Sequence, residues 1–109
     1  MARSAHSHSP WTVEAIRVLG RQITAGRRML NWTQSDLAER AGVSVSTLLA
    51  IEKGSTGAAI GTVFEIAALV GIPLVGAMDP VGREIIENRL ALLPTRVGNS
   101  REDDDDGNF

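Results

Sequence analysis

The segment TQSDLAERAGVSVSTLLAIEKG, residues 33 to 54, places two helix starts and two glycine stops so close together that few folds can accommodate it. Thr33 with Asp36 three residues on resembles a capping box, with Asp in place of the usual Glu. Trp32 precedes the cap and is placed to pack back on Leu37 as a hydrophobic staple. Gly42 supplies a left-handed cap that ends a short helix over about 33–41. Ser44 opens the next helix, over about 44–53, which Gly54 stops. Only two residues lie between these spans, so the helices must meet at a steep angle. The pattern buries Leu37, Ala38 and Ala41 from the first helix and Leu48 and Ile51 from the second, with Val43 plugging the turn.

The flanking sequence supplies the elements that cover this pair. Residues 1–9 are rich in Ser and His and read as a disordered arm. Ser9-Pro10 is a helix start, with Ser as cap and Pro at the first helical position. From there Val13, Ile16, Leu19, Ile23 and Leu30 form one stripe of a long first helix ending near Leu30. Gly20 lies on that stripe, where another backbone can approach closely. After the loop GSTGAA, IGTVFEIAALVG is a fourth helix with Ile60, Val63, Phe64, Ala67 and Val70 on its inner face and Gly71 at its end. IPLVGAMDP is extended or turning, with room for a short strand. VGREIIENRLALLP is a fifth helix stopped by Pro94. Its apolar residues, Ile85, Ile86, Leu90, Leu92 and Leu93, are too many for a helix that sits alone. It is expected to pack on the body or on a second copy.

Composition narrows the function classes. Only four aromatic residues occur in 109, so the core must be aliphatic and Ala-rich, which favours an all-α fold. The absence of Cys removes disulfides, thiolate metal sites and Cys nucleophiles. Both His lie in the N-terminal arm, and GSTGAAIGT lacks the Lys of a phosphate-binding loop. Glu84 and Glu87 sit on a charged helix face as solvated side chains. No enzymatic activity, cofactor or metal is therefore expected. IAALVGIPLVGAM, the longest near-apolar stretch, contains Pro and two Gly and cannot span a bilayer as a helix. With no apolar leader at the N-terminus, the expected location is cytoplasmic, on the nucleoid. The net charge of −2 hides an asymmetry. Residues 102–109 hold five acids and no base, while residues 1–101 hold 11 bases and 8 acids. A mildly basic body with an acidic tail suits a nucleic-acid surface plus an interaction tail, or a tail that only solubilises.

Residues 16–75 resemble an Xre-type helix-turn-helix domain of the lambda-repressor-like superfamily. The resemblance rests on Thr33-Gln34, Leu37-Ala38, Gly42-Val43-Ser44, Thr47-Leu48 and Ile51-Glu52-x-Gly54, all in register. It implies a five-helix domain whose third helix enters the major groove of DNA. Carried over by position, the base-facing residues are Val45, Ser46, Leu49 and Ala50. None offers a bidentate purine contact; Val, Leu and Ala can touch thymine methyls, and Ser can bond several base edges. Methyl groups, DNA shape and half-site spacing would then carry specificity. The alternative is that Leu49 is buried against protein and the helix does not read DNA. The implied phosphate contacts are Arg28, Thr33, Gln34, Arg40, Thr47, Lys53, Ser55, Thr56 and the backbone at Gly61. Against these stand ordinary solvated surface and, for Thr33, a purely capping role. Arg27 and Glu52 are implied to form an internal salt bridge between the first helix and the end of the third.

A narrower likeness lies at the C-terminal end. RLALLPTRV followed by an acidic run and a final Phe resembles HipB-like antitoxins, which repress their own operon as dimers and hold a HipA-like kinase toxin. That likeness implies a homodimer on a double-stranded operator with two half-sites, a short strand at PLVGA pairing across the dimer, and toxin contact through Phe109. The dimer residues would be Leu74, Val75, Ile86, Leu90 and Leu93. The domain plan is then an arm at 1–9, a helix-turn-helix domain at 10–75, a dimerisation extension at 76–94 and a tail at 95–109. Two alternatives stand beside it: a protein-interaction module with a degenerate helix-turn-helix, and a solitary regulator of the same superfamily.

Overall fold

The computed structural model describes residues 7–74 and 79–96, which form five α-helices and, among the described residues, no strand. In chain order these are α1 (Pro10–Met29), α2 (Gln34–Ala41), α3 (Val45–Glu52), α4 (Ile60–Leu69) and α5 (Pro80–Ala91). The fold is all-α, as composition and periodicity predict. The chain divides into two compact units, Met1–Leu74 and Val75–Phe109. Residues 75–78 of the stretch with room for a strand, Val75 among them, lie outside the described residues, as do His6, Phe109 and the tail from residue 97.

Local chemistry starts each helix of the first unit but α4. The Ser9 hydroxyl accepts from the Thr12 N–H, with Pro10 opening α1. At α2 the Thr33 hydroxyl accepts from the Asp36 N–H at 3.0 Å, and the Asp36 carboxylate accepts from the Thr33 N–H at 2.8 Å. This reciprocal pair satisfies two backbone donors that an open helix end would leave bare. Ser44 caps α3 by accepting from the Thr47 N–H at 3.0 Å. Because Ser44 is a cap outside its helix, three residues rather than two separate α2 from α3. Gly42 stands first among them at φ 72°, a backbone that a side chain disfavours.

The two central helices have eight residues each, too few to hold in water without tertiary support. Their support is an aliphatic core of Ile23 from α1, Leu37 and Ala38 from α2, Leu48 and Ile51 from α3, and Ile66, Ala67 and Val70 from α4 and its end. Ile23, Leu37, Leu48 and Ile66 are fully buried, each worth about 1.5–3 kcal/mol relative to exposure. Trp32 packs at the margin of this cluster. α2 packs on α3 and α4, and α1 packs on α3.

Two details differ from the sequence expectation. The inner row of α4 runs through Val63, Ile66, Ala67 and Val70, whereas Ile60 is 73% exposed and Phe64 37% exposed. Ile60 and Phe64 instead border an apolar groove of about 290 Å³ with Ile16, Leu19 and Ala58. Both rows have helical spacing, and the rotation of α4 against α2 selects between them. Leu30 is exposed because α1 ends at Met29. Asn31 then takes φ 60° and turns the chain away, a conformation that Asn tolerates better than most residues. α5 starts one signal earlier than expected: Asp79 accepts from the Gly82 N–H and Pro80 stands first in the helix. It buries none of its residues.

α1 and α3 touch through Gly20. A Cβ there would stand 2.6 Å from the Glu52 carbonyl oxygen and 2.7 Å from that of Ile51. Both are backbone atoms and cannot rotate aside. Gly20→Ala should therefore destabilise by about 1–3 kcal/mol in urea unfolding. Gly61→Ala, where nothing lies within 4 Å, should be neutral or stabilise by up to about 1 kcal/mol. Equal effects at the two glycines would contradict this contact.

Candidate nucleic-acid interface

One buried polar cluster holds the helix-turn-helix unit in shape. The Arg27 guanidinium grips Glu52, Nε donating to Oε2 at 2.8 Å and Nη2 to Oε1 at 3.3 Å. Their side chains are only 8% and 5% exposed. Arg27 Nη1 donates to the Trp32 carbonyl at 3.0 Å, and Gln34 Nε2 donates to Glu52 Oε1 at 3.2 Å. The end of α1, the turn after it, the start of α2 and the end of α3 thus share one network. Burial pushes the Glu52 carboxyl up, but hydrogen bonds from Arg27 and Gln34, the Arg27 charge and the Thr24 hydroxyl together hold it below the usual glutamate value.

With Glu52 turned inward, the outer surface of α3 carries no charge. Val45, Ser46, Thr47 and Ala50 are exposed, and Leu49 is half-buried. The Thr47 hydroxyl is bonded to Ser44 Oγ at 2.9 Å, and Ser46 lies in the first turn beside Val45. Leu49 is not among the core residues, so part of its side chain stays at the surface with Val45 and Ala50.

The residues expected to meet phosphate have varied environments. Thr33 caps α2, and its hydroxyl is already an acceptor there. The Gln34 amide points to Glu52, which leaves its backbone N–H in the first turn as its donor toward solvent. Arg40, exposed, stacks over the Trp32 ring with its guanidinium carbon 4.2 Å from the centroid. That contact is worth about 0.5–1 kcal/mol at a surface and holds the side chain at the end of α2. Lys53 is the exposed C-cap of α3, and Arg28 is exposed near the end of α1. Ser55 and Thr56 are exposed in the loop before α4; the Ser55 hydroxyl accepts from the Gly57 N–H. Ala59 precedes α4 and gives no side-chain cap, so the first-turn N–H groups, including that of exposed Gly61, keep their donors. Asp36 is held below the usual carboxylate range by its hydrogen bonds with the Thr33 backbone and hydroxyl, opposed by desolvation and helped by the Arg40 charge.

The residues expected at a dimer interface are only partly described. Leu74 is half-buried in the first unit, Ile86 is half-buried in the second, and Leu90 and Leu93 are exposed. Three features lay outside the sequence prediction: the Gln34–Glu52 bond, the Arg40–Trp32 stack and the left-handed Asn31. A signal for the last was present, since Asn is the residue that most readily follows a helix in that conformation after Gly. Among the described residues there is no cluster of His, Cys, Asp or Glu that could hold a metal ion and no helix long and apolar enough to cross a membrane.

The helix-turn-helix family model matches residues 23–76, which runs from the end of α1 through α4. A curated relative, the uncharacterized HTH-type transcriptional regulator MJ0272 of Methanocaldococcus jannaschii, is 42% identical over 48 residues. The match covers 44% of this chain and 73% of the relative. No solved structure matches the chain.

The polar cluster sets a stability and pH test. Glu52→Gln would leave Arg27 buried without its counter-charge and should cost roughly 3–5 kcal/mol near neutral pH. Because the folded carboxyl titrates below the unfolded one, its contribution is full above the ordinary glutamate range and is lost as pH falls through the folded value. Denaturant midpoints measured from neutral to acidic pH should fall for the natural chain and fall less for Glu52→Gln. Parallel curves would contradict the assignment.

Proposed function

The chain belongs to the helix-turn-helix family of transcriptional regulators, and on that premise we propose that it is a sequence-specific repressor that binds operator DNA as a homodimer. The observation that carries this is the face of α3: an exposed surface on a helix held rigid by the Arg27–Glu52 cluster, with cations at its margins. Val45, Ser46, Leu49 and Ala50 face the bases. Arg28, Arg40, Lys53, the hydroxyls of Thr33, Thr47, Ser55 and Thr56, and the backbone N–H groups at Gln34 and Gly61 face phosphates. One copy offers few base contacts, so useful affinity needs two copies about one helical turn apart. Leu74 and Val75, and separately Ile86 and Leu90 of α5 with Leu93 just past its end, are the apolar residues offered to a second copy; on this reading 10–75 is the DNA-binding part, with Leu74 and Val75 at its edge, and 76–94 is the dimerisation extension.

The finer proposal is that the chain is the autoregulatory antitoxin of a HipA-like kinase, with Phe109 behind the acidic run as its docking residue. The RLALLPTRV sequence and the acidic segment after it support this. A second reading, a protein-interaction module that keeps the helix-turn-helix as scaffold, is favoured by the apolar character of α3.

Salt separates the two. A DNA-binding chain should lose affinity linearly in log–log coordinates as salt rises, by fluorescence anisotropy on duplex DNA. Arg40→Ala should weaken binding to all duplexes alike and reduce the salt slope by about one. Ser46→Ala and Leu49→Ala should relax discrimination between sequences and leave the slope unchanged. A flat salt response, or specificity untouched by the second pair, would reject α3 as the reader. Light scattering at micromolar concentration should give a dimer mass. Removing residues 102–109 should preserve folding and dimerisation while weakening a HipA-like kinase complex in calorimetry.

A further inference from the structure

The outward surface of α3 is uncharged and mostly aliphatic, with the Ser46 and Thr47 hydroxyls as its polar groups. Val45 and Ala50 are exposed and Leu49 is half-buried, while Glu52, the helix's one ionisable side chain, is buried against Arg27. Of its two hydroxyls, that of Thr47 is engaged with Ser44. No Arg, Lys, Asn or Gln occurs between residues 42 and 52, so the bidentate purine contacts that separate base pairs by donor and acceptor pattern cannot be made from this helix. A face of branched and small aliphatic groups distinguishes something else: a pyrimidine edge bearing a C5 methyl from one bearing C5–H.

We propose that α3 recognises C5-methylated pyrimidines, so that 5-methylcytosine replaces thymine at the contacted positions and cytosine methylation raises affinity for DNA that contains it. This rests on the DNA-binding function proposed above. Charge commits the face to DNA and not to an apolar protein surface. Glu52 is buried, and the exposed acids Asp36 and Glu39 belong to α2 and not to α3, whereas Arg40 and Lys53 remain exposed at the ends of α2 and α3. The α4 N-terminus adds uncapped N–H donors. Exposed cations at the ends of α2 and α3, with an uncharged and mostly aliphatic α3 surface, suit phosphates beside a groove lined with methyl groups.

The test uses the full chain and a duplex selected by it from a random-sequence library. Four versions of that duplex are compared by anisotropy: the parent, one with deoxyuridine for thymine, and two with cytosine or with 5-methylcytosine at each thymine that proves sensitive. Deoxyuridine keeps every hydrogen-bonding group and removes only the methyl. Affinity should fall about fourfold per contacted thymine, the effect expected for burying one methyl. The 5-methylcytosine duplex should bind about fourfold more tightly than its cytosine counterpart. In Val45→Ala, an exposed position where folding is not at risk, and in Leu49→Ala, both differences should shrink. Uridine duplexes that bind within twofold of the parent would overturn the proposal while leaving DNA binding intact. A uridine penalty identical in the natural chain and both variants would also overturn it, since the effect would then come from DNA shape. If no duplex is selected and no salt-dependent binding appears, the DNA-binding function fails, and this proposal fails with it.

Discussion

The bidentate contact between Arg27 and Glu52 is the interaction on which the remaining geometry depends. It joins the end of α1 to the end of α3 across a buried space, and through Gln34 and the Trp32 carbonyl it also fixes the start of α2. A buried ion pair adds little net stability compared with apolar side chains of the same volume. What it supplies here is direction: a planar guanidinium with each nitrogen committed leaves one arrangement of three helix ends. Close approach of α1 and α3 at Gly20 brings the two backbones near enough for that arrangement.

The same network determines the character of the outer face. Glu52 is spent inward, so α3 presents no carboxylate to an anionic partner, and Asp36 is spent on its cap. Removing acids is as important to a phosphate-facing surface as adding bases, because like charge opposite phosphate repels at short range. The body is only mildly basic in composition, with 11 bases and 8 acids in residues 1–101. Burial of Glu52 against Arg27 sharpens the local balance without changing the total, while Asp36 stays exposed.

Much of this architecture was legible in the residues. Ser9-Pro10, Thr33 with Asp36, Gly42 and Ser44 act over three or four positions, and their chemistry is complete within the segment that carries it. The same local signature at Asp79-Pro80 marks the start of α5 and was equally available. Less legible was the inner face of α4. Ile60, Val63, Phe64, Ala67 and Val70 have helical spacing, but so does the row through Val63, Ile66, Ala67 and Val70. The helix is apolar on nearly every side, so its own pattern cannot choose the buried row. Gln34 shows a second limit: its motif position suits a phosphate, yet its amide bonds a residue 18 positions away.

Helix number, the caps and the sharp Gly42 turn follow from short-range rules, since each depends on neighbours within one helical turn. Packing alone settles which way α4 rotates and that Gln34 joins the Arg27–Glu52 pair. Those outcomes depend on groups far apart in the chain meeting at distances near 3 Å, and no local pattern encodes a distance between segments that have not yet docked.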